Sequence, residues 1–208
     1  MARKRFAVAD IDQTHYQLQC VLELRAGLAS ALNAESEYAL SLSSRYCVLC
    51  RMKVYLVHHA DALSAEQDSQ RHISQKGRDQ ADRLGTRFRT LGVVPVRILH
   101  SDKQWTIDTA DRIAAKLGAQ HKTAQAAYPI NTGDPVAPFM AEIAAAGGDI
   151  MMCGHVDYLL RSASHLVCGD ETRKVVEFKP GNGTAVCLEG EGDDWAISYA
   201  WRQDHAPG

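Results

Sequence analysis

The sequence predicts an α/β protein, a three-layer α/β/α arrangement around a mostly parallel central sheet with helices on both faces. Three observations carry this. Short apolar runs at Lys53–Val57, Pro95–Leu99 and Asp149–Cys153 have the near-continuous hydrophobicity of strands buried on both faces. Each run is followed by a polar loop and then by a segment of helical period, the alternation expected of a parallel sheet. Each also leads into a His-x-Asp tripeptide: His59-Ala60-Asp61, His100-Ser101-Asp102 and His155-Val156-Asp157. Three histidines are therefore expected at the carboxyl edge of the sheet, where open α/β sheets place ligands.

The elements follow in order. Residues 1–51 differ from the rest and are expected to form a separate, helical extension, with an apolar period of Leu18, Val21, Leu22, Leu24, Leu28 and Leu32 between Gln13 and Asn33. The main α/β domain is expected over residues 52–208. After its opening strand, a polar loop from Leu63 to Arg71 precedes Ser74, which has the chemistry of an N-cap for a helix over Gln75–Thr90. Ala81, Leu84, Phe88 and Leu91 give that helix one apolar stripe, and Gly92 closes it. The second strand leads to a helix over Lys103–Leu117 stopped by Gly118. A loop from Ala126 to Pro138, marked by Pro129, Asn131, Gly133 and Pro135, precedes a helix over Val136–Ala146. The third strand is followed by a helix over Tyr158–Val167. The tail changes pattern, with strands expected at Lys174–Phe178, Gly183–Leu188 and Trp195–Trp201 and turns at Pro180–Gly183 and Gly190–Asp194.

Composition narrows the function classes. The 208 residues are 46% hydrophobic and 23% charged, as in ordinary globular proteins, and the formal net charge is -2 with no block of like charge. This points away from nucleic acid and anionic membrane surfaces and toward a small-molecule or protein partner. No run of about 18 apolar residues is present, and acidic residues interrupt the segment after the basic Arg3-Lys4-Arg5 start, so the chain is expected to be cytoplasmic. The six cysteines are scattered, and a lone C-x-x-C at Cys47–Cys50 has no second pair, so neither a disulfide framework nor a zinc module is expected.

Two readings of the His-x-Asp tripeptides compete at this stage. Asp102 and Asp157 have the spacing of ordinary helix caps, whereas three of nine histidines at one sheet edge point to chemistry. Around them, Tyr55-Leu56-Val57-His58-His59-Ala60-Asp61, the segment Arg71-His72-Ile73-Ser74-Gln75-Lys76-Gly77, Ser101 with Thr109-Ala110, and Gly154-His155 stand in a set order. In order and spacing the chain from about Met52 to Trp201 resembles the histidine phosphatase superfamily, in particular its SixA-type phosphohistidine phosphatase branch.

The resemblance implies a phosphoglycerate mutase-like fold and a phosphoryl-transfer site without a cofactor. It implies that His59 is the nucleophile that carries a covalent phosphoryl group, and that His155 donates a hydrogen bond or positive charge to the phosphoryl oxygens. His58, Arg71, Ser101 and Trp105 are the implied substrate-binding residues. The branch has arginines where His58 and Trp105 stand here. Each missing guanidinium withdraws charge-assisted hydrogen bonds, together about 3 to 6 kcal/mol of phosphoryl binding. A protonated His58 or Lys103 would replace part of that charge. Asp61 is read either as an orienting partner of His59 or as a plain turn residue. The loop around Tyr128–Asn131 offers no carboxylate as general acid, which favours a labile substrate such as phosphohistidine on a protein, or a small phosphorylated metabolite. Two further readings stay open: a metal-dependent enzyme with ligands from His59 (or His58), His100 and His155 backed by Asp61 or Asp157, and a non-catalytic binding protein with Trp105 in a histidine-lined pocket.

Overall fold

The computed structural model describes residues 51–203. The expected helical extension over residues 1–51 and the C-x-x-C at 47–50 therefore lie outside the described residues, apart from Arg51.

Six strands form one sheet in the order β3-β2-β4-β1-β5-β6. They are β1 (Met52–His58), β2 (Arg97–His100), β3 (Thr123–Gln125), β4 (Ile150–Gly154), β5 (Ala185–Glu191) and β6 (Asp194–Trp201). The first four run parallel, while β5 pairs antiparallel with both β1 and β6. Four helices alternate with them: α1 (Gln75–Thr90), α2 (Gln104–Leu117), α3 (Ala137–Ala145) and α4 (Val156–Cys168). This is the mixed α/β fold, of phosphoglycerate mutase type, that the sequence predicts.

The strand period of two divides the core into two layers. Tyr55 and Val57 of β1, with Ile98, Met151 and Cys153, face Leu84 and Phe88 of α1 and Ile113 of α2. Val54 and Leu56, with Ile150, Met152, Val186 and Leu188, face Phe139 and Ile143 of α3 and Leu159 and Ala163 of α4. Burial on both faces is why β1 and β4 read as continuous apolar runs. At about 25 cal/mol per Å² of apolar surface, each such fully buried side chain contributes roughly 1.5 to 3 kcal/mol. No described helix is long and apolar enough to cross a membrane.

Local signals place the elements well. Ser74 caps α1 by accepting from the Gly77 N–H, and Gly118 ends α2 at φ 67. Gly192, at φ 55, makes the tight β5–β6 turn.

Four expectations are corrected. Residues 173–179 form no strand, because β5 occupies the place beside β1 and Phe178 instead buries itself against the α3/α4 layer. The sheet gains β3, three residues too short to show a period. Neither Asp102 nor Asp157 is a cap: Lys103 and His155 occupy the N-cap positions of α2 and α4, without a side-chain cap bond. Asp157 lies in the first turn of α4 and accepts from the Gly133 N–H and Arg161.

Gly77 is where α1 meets the loop after β1. A Cβ there would overlap the Asp61 carbonyl oxygen, which is backbone and itself bonded to the Ser74 N–H. Gly77→Ala is expected to destabilise the fold by about 1 to 3 kcal/mol, read as a lower denaturant midpoint with unchanged slope.

Candidate active site

The site forms where β1 and β4 end side by side. The strands pair in register up to His58 opposite Gly154, and the His59 N–H then donates to the Gly154 carbonyl at 3.2 Å. His59 and His155 each follow directly on one member of this last pair. Their rings consequently lie 5.7 Å apart, centroid to centroid, at 66°. Trp105, in the first turn of α2, completes a triangle at 6.0 Å from His59 and 6.2 Å from His155. His58 packs behind His59 at 4.2 Å.

The loop after β1 is held from both helices of one layer. The Ala60 N–H donates to Thr109 Oγ1 of α2 at 3.1 Å, and the Asp61 N–H to Gln80 Oε1 of α1 at 2.9 Å. The Asp61 carboxylate accepts from Ser74 Oγ at 2.6 Å and lies 3.5 Å from Lys76 Nζ. It makes no hydrogen bond to His59 and is a turn residue in function. Instead, His59 Nδ1 lies 2.8 Å from the Ala60 carbonyl. A carbonyl only accepts, so the proton is on Nδ1 and Nε2 carries the lone pair.

His155 is set by a chain of hydroxyls. Thr106 Oγ1 donates to the Lys103 carbonyl at 2.7 Å and so accepts from Ser101 Oγ, also at 2.7 Å. With its proton committed, Ser101 Oγ accepts from the Lys103 N–H at 3.2 Å and from His155 Nε2–H at 3.1 Å. The neutral ring therefore keeps its lone pair on Nδ1.

Arg71 reaches the same place from the loop before α1. Its φ of 58 is the single positive value among the described non-glycine residues, a strained conformation that costs on the order of 1 to 3 kcal/mol. Its Nε donates to the Leu63 carbonyl at 3.1 Å, and its guanidinium lies 4.4 Å over the Trp105 ring. The stack is a cation–π contact that orients the fork while leaving both terminal nitrogens without a partner among the described residues. The Trp105 face is thus taken by the protein's own arginine. Trp105 Nε1 is buried without a hydrogen-bond partner among the described residues.

Burial sets the charge of the rings. His58 is 3% exposed, with no partner for Nδ1 among the described residues; burial first, and then the neighbouring His59 and His155, bring its pKa down to about 3. Burial likewise lowers His59 to about 4, against the opposing bond to the Ala60 carbonyl. His155 is lowered by burial and then by Lys103. All three imidazoles are held toward the neutral form, so His58 does not supply the charge of the arginine in whose place it stands. Lys103 turns its ammonium to Asp102 at 2.9 Å.

Of the sequence-predicted residues, the structure brings together His58, His59, Arg71, Ser101, Trp105 and His155. His100 stays apart: its ring bonds the Ser101 carbonyl at 2.8 Å. Among the described residues no group of three His, Cys, Asp or Glu side chains is placed to hold a metal, so His59, His100 and His155 do not form a ligand set. Thr106 and Gln80 carry positioning roles that sequence reading missed. The signal for Thr106 was its spacing of three from Thr109, which puts two small hydroxyls on one face of α2.

Because the neutral rings become charged on unfolding, stability depends on pH. The folded pKa values of His58 and His59 lie below the unfolded 6.5, so the unfolded chain binds more protons between these limits. Stability is then complete above about pH 6.5 and falls as the pH falls, by on the order of 1 kcal/mol per pH unit for each ring. Urea midpoints should drop between about pH 7 and pH 5, and His58→Leu should flatten that dependence. A midpoint independent of pH in both proteins would contradict the assignment of neutral rings.

Residues 54–135 match the family model of the histidine phosphatase superfamily (branch 1). No curated protein matches the sequence. Among solved structures, the chain is similar to the protein histidine phosphatase SixA complexed with tungstate, at a TM-score of 0.63 and 16% identity over 74% of this chain and 98% of that one. A mycobacterial glucosyl-3-phosphoglycerate phosphatase aligns at 0.55 and 14% identity, over 71% of this chain and 97% of the other. The ecdysone phosphate phosphatase of Bombix mori with tungstate aligns at 0.51 and 12%, over 72% and 92%. The described chain thus has the fold of these solved phosphatases, and its segment 54–135 matches the histidine phosphatase superfamily in sequence.

Proposed function

We propose that the chain is a divergent SixA-like phosphatase that hydrolyses phosphohistidine or another labile phosphorylated substrate through a phosphohistidine intermediate on His59. The observation that carries this is the His59 Nδ1–H bond to the Ala60 carbonyl at 2.8 Å. It fixes the tautomer in which Nε2 is the nucleophile, and the low pKa keeps that lone pair free at neutral pH.

Nε2 attacks phosphorus, and the bond to the leaving atom breaks with its electron pair going to that atom. The guanidinium of Arg71, held over Trp105, supplies a planar donor for two phosphoryl oxygens. His155 responds to the ligand. An approaching phosphoryl dianion favours protonation of its Nδ1, after which one ring nitrogen donates to Ser101 and the other to a phosphoryl oxygen. Water then attacks the phosphorus, releasing phosphate and returning the electron pair to Nε2.

With His58 neutral and Trp105 in place of a second cation, Arg71 and an induced His155 cation carry the charge stabilisation. This suits a substrate whose phosphorus–nitrogen bond is already labile better than a stable monoester, and the similarity to a protein histidine phosphatase supports the same substrate class. A phosphorylated protein or a small phosphorylated metabolite is the corresponding partner, and no cofactor is required.

Exposure to phosphoramidate should add about 80 Da to the intact protein, the mass of one phosphoryl group. His59→Ala should abolish the adduct, and Arg71→Ala should slow its formation by roughly 10- to 100-fold, the loss expected for a charge-assisted fork. An unmodified protein after prolonged exposure would rule the function out.

A further inference from the structure

We propose that Thr106 is a positioning residue of this phosphoryl transfer: through Ser101 it holds His155 in the form that must take up a proton when a phosphoryl group binds, a role that rests on His59 being the phosphoryl acceptor. Thr106 and Ser101 are both buried, and they reach the site directly, since Ser101 Oγ lies 3.1 Å from His155 Nε2.

Two threonines of α2 work alike. Thr109 Oγ1 donates to the Trp105 carbonyl at 2.6 Å and presents a lone pair to the Ala60 N–H at 3.1 Å, which steadies the loop carrying His59. Thr106 Oγ1 donates to the Lys103 carbonyl at 2.7 Å and presents a lone pair to Ser101 Oγ at 2.7 Å. Three residues apart, they stand on one face of the helix, next to Trp105 in ring contact with both histidines.

The direction of the relay follows from counting protons. A hydroxyl has one proton and two lone pairs, and a carbonyl only accepts. The backbone takes the Thr106 proton, so the Ser101 proton goes to Thr106. Both lone pairs of Ser101 Oγ are then filled, by the Lys103 N–H at 3.2 Å and by His155 Nε2–H. Every proton of the relay has an acceptor, as a buried network requires. Nδ1 of His155 has no partner among the described residues and is the nitrogen the ring has left for a ligand.

In the other tautomer a neutral His155 would offer Nδ1–H to a phosphoryl oxygen at once. Held as it is, the ring offers a lone pair, which repels that oxygen until a proton is added. The proton comes from water to Nδ1 as the dianion binds and returns to water as phosphate leaves, while Nε2–H stays on Ser101 throughout. The imidazolium so formed is a charge-assisted donor, stronger than a neutral N–H, and supplies a second cation beside Arg71 only while a phosphoryl group is present. The groups facing the ring are Lys103 and Asp102 from the loop before α2, and His58 and His59 from the end of β1. On α4, Asp157 is turned to the Gly133 N–H and Arg161. Burial and Lys103 keep the ring neutral when no phosphoryl group is bound.

Thr106→Val keeps the volume and removes the acceptor of the Ser101 proton. Among the described residues that proton then has only His155 Nε2 to go to, so the ring should carry its own proton on Nδ1. Long-range proton–nitrogen spectra of protein labelled in its histidines, with His155→Gln to assign the resonances, should show the Nε2–H form in the wild type and in Thr106→Ser, and the Nδ1–H form in Thr106→Val. Thr106→Ala gives a second test should the valine variant not fold. Phosphorylation of His59 by phosphoramidate, timed by intact mass, adds a readout that a packing defect does not share, because titration of the donor cancels in the ratio of two proteins. The wild type should react on the order of 10-fold faster than Thr106→Val at about pH 6, and the ratio should fall toward one by about pH 9, with Thr106→Ser following the wild type. An unchanged tautomer in the valine variant, Nδ1–H in the wild type, or a ratio independent of pH overturns the role of Thr106 and leaves His59 standing. A wild type that forms no adduct at any pH overturns the reading of His59 and this role with it.

Discussion

The parallel pairing of β1 with β4, in register from Val54 opposite Ile150 to His58 opposite Gly154, is the constraint on which the site depends. It brings two residues nearly a hundred positions apart to the same line across the sheet. The His59 N–H extends the ladder by one more bond, so the ring of His59 is projected from a fixed backbone next to the start of α4. Register is enforced by burial on both faces: moving β1 by one residue would exchange the sets packed against the α1/α2 and α3/α4 layers. The same slip would separate His59 from His155.

Around that fixed pair, charge is kept low. Buried imidazoles cluster within ring-contact distance, which is possible because burial holds them neutral. The permanent cation among them is delivered from outside the sheet, by a strained Arg71 lying on Trp105. Trp105 therefore acts as a platform that aims the guanidinium, and strain at Arg71 is compensated by the stack and by the bonds to Asp68 and Leu63. The site combines a neutral nucleophile, a second histidine with one lone pair in reserve, and one oriented fork.

Much of the fold was legible because its signals are local. Ser74 at an N-cap, Gly118 in the left-handed conformation and the two-residue turn at Gly192 are decided by a few neighbouring atoms, and the buried strands declare themselves by unbroken hydrophobicity. The short β3 and the segment 173–179 were misread for a physical reason. β3 owes its pairing to β2, whereas 173–179 has strand-like composition but meets no free sheet edge beside β1. Asp102 and Asp157 looked like caps because their spacing allows it, and competing partners drew their carboxylates elsewhere.

The sequence by itself determined the α/β class, the order of the main elements, and that His59, His100 with Ser101, and His155 follow strands at one edge, since topology sends every parallel strand's carboxyl end to the same side; Arg71 and Trp105 were implied only by the family resemblance. Only the tertiary structure decided their states. The proton on His59 Nδ1 depends on where the Ala60 carbonyl points, and that on His155 Nε2 on a relay through Ser101 and Thr106. The neutrality of His58 depends on how much water the fold removes from it. The stacking of Arg71 on Trp105, and the hydrogen bond of His72 to Asp108, depend on the packing of one loop against α2. Those are distances and solvent exposures between residues remote in sequence, which no residue pattern along the chain encodes on its own.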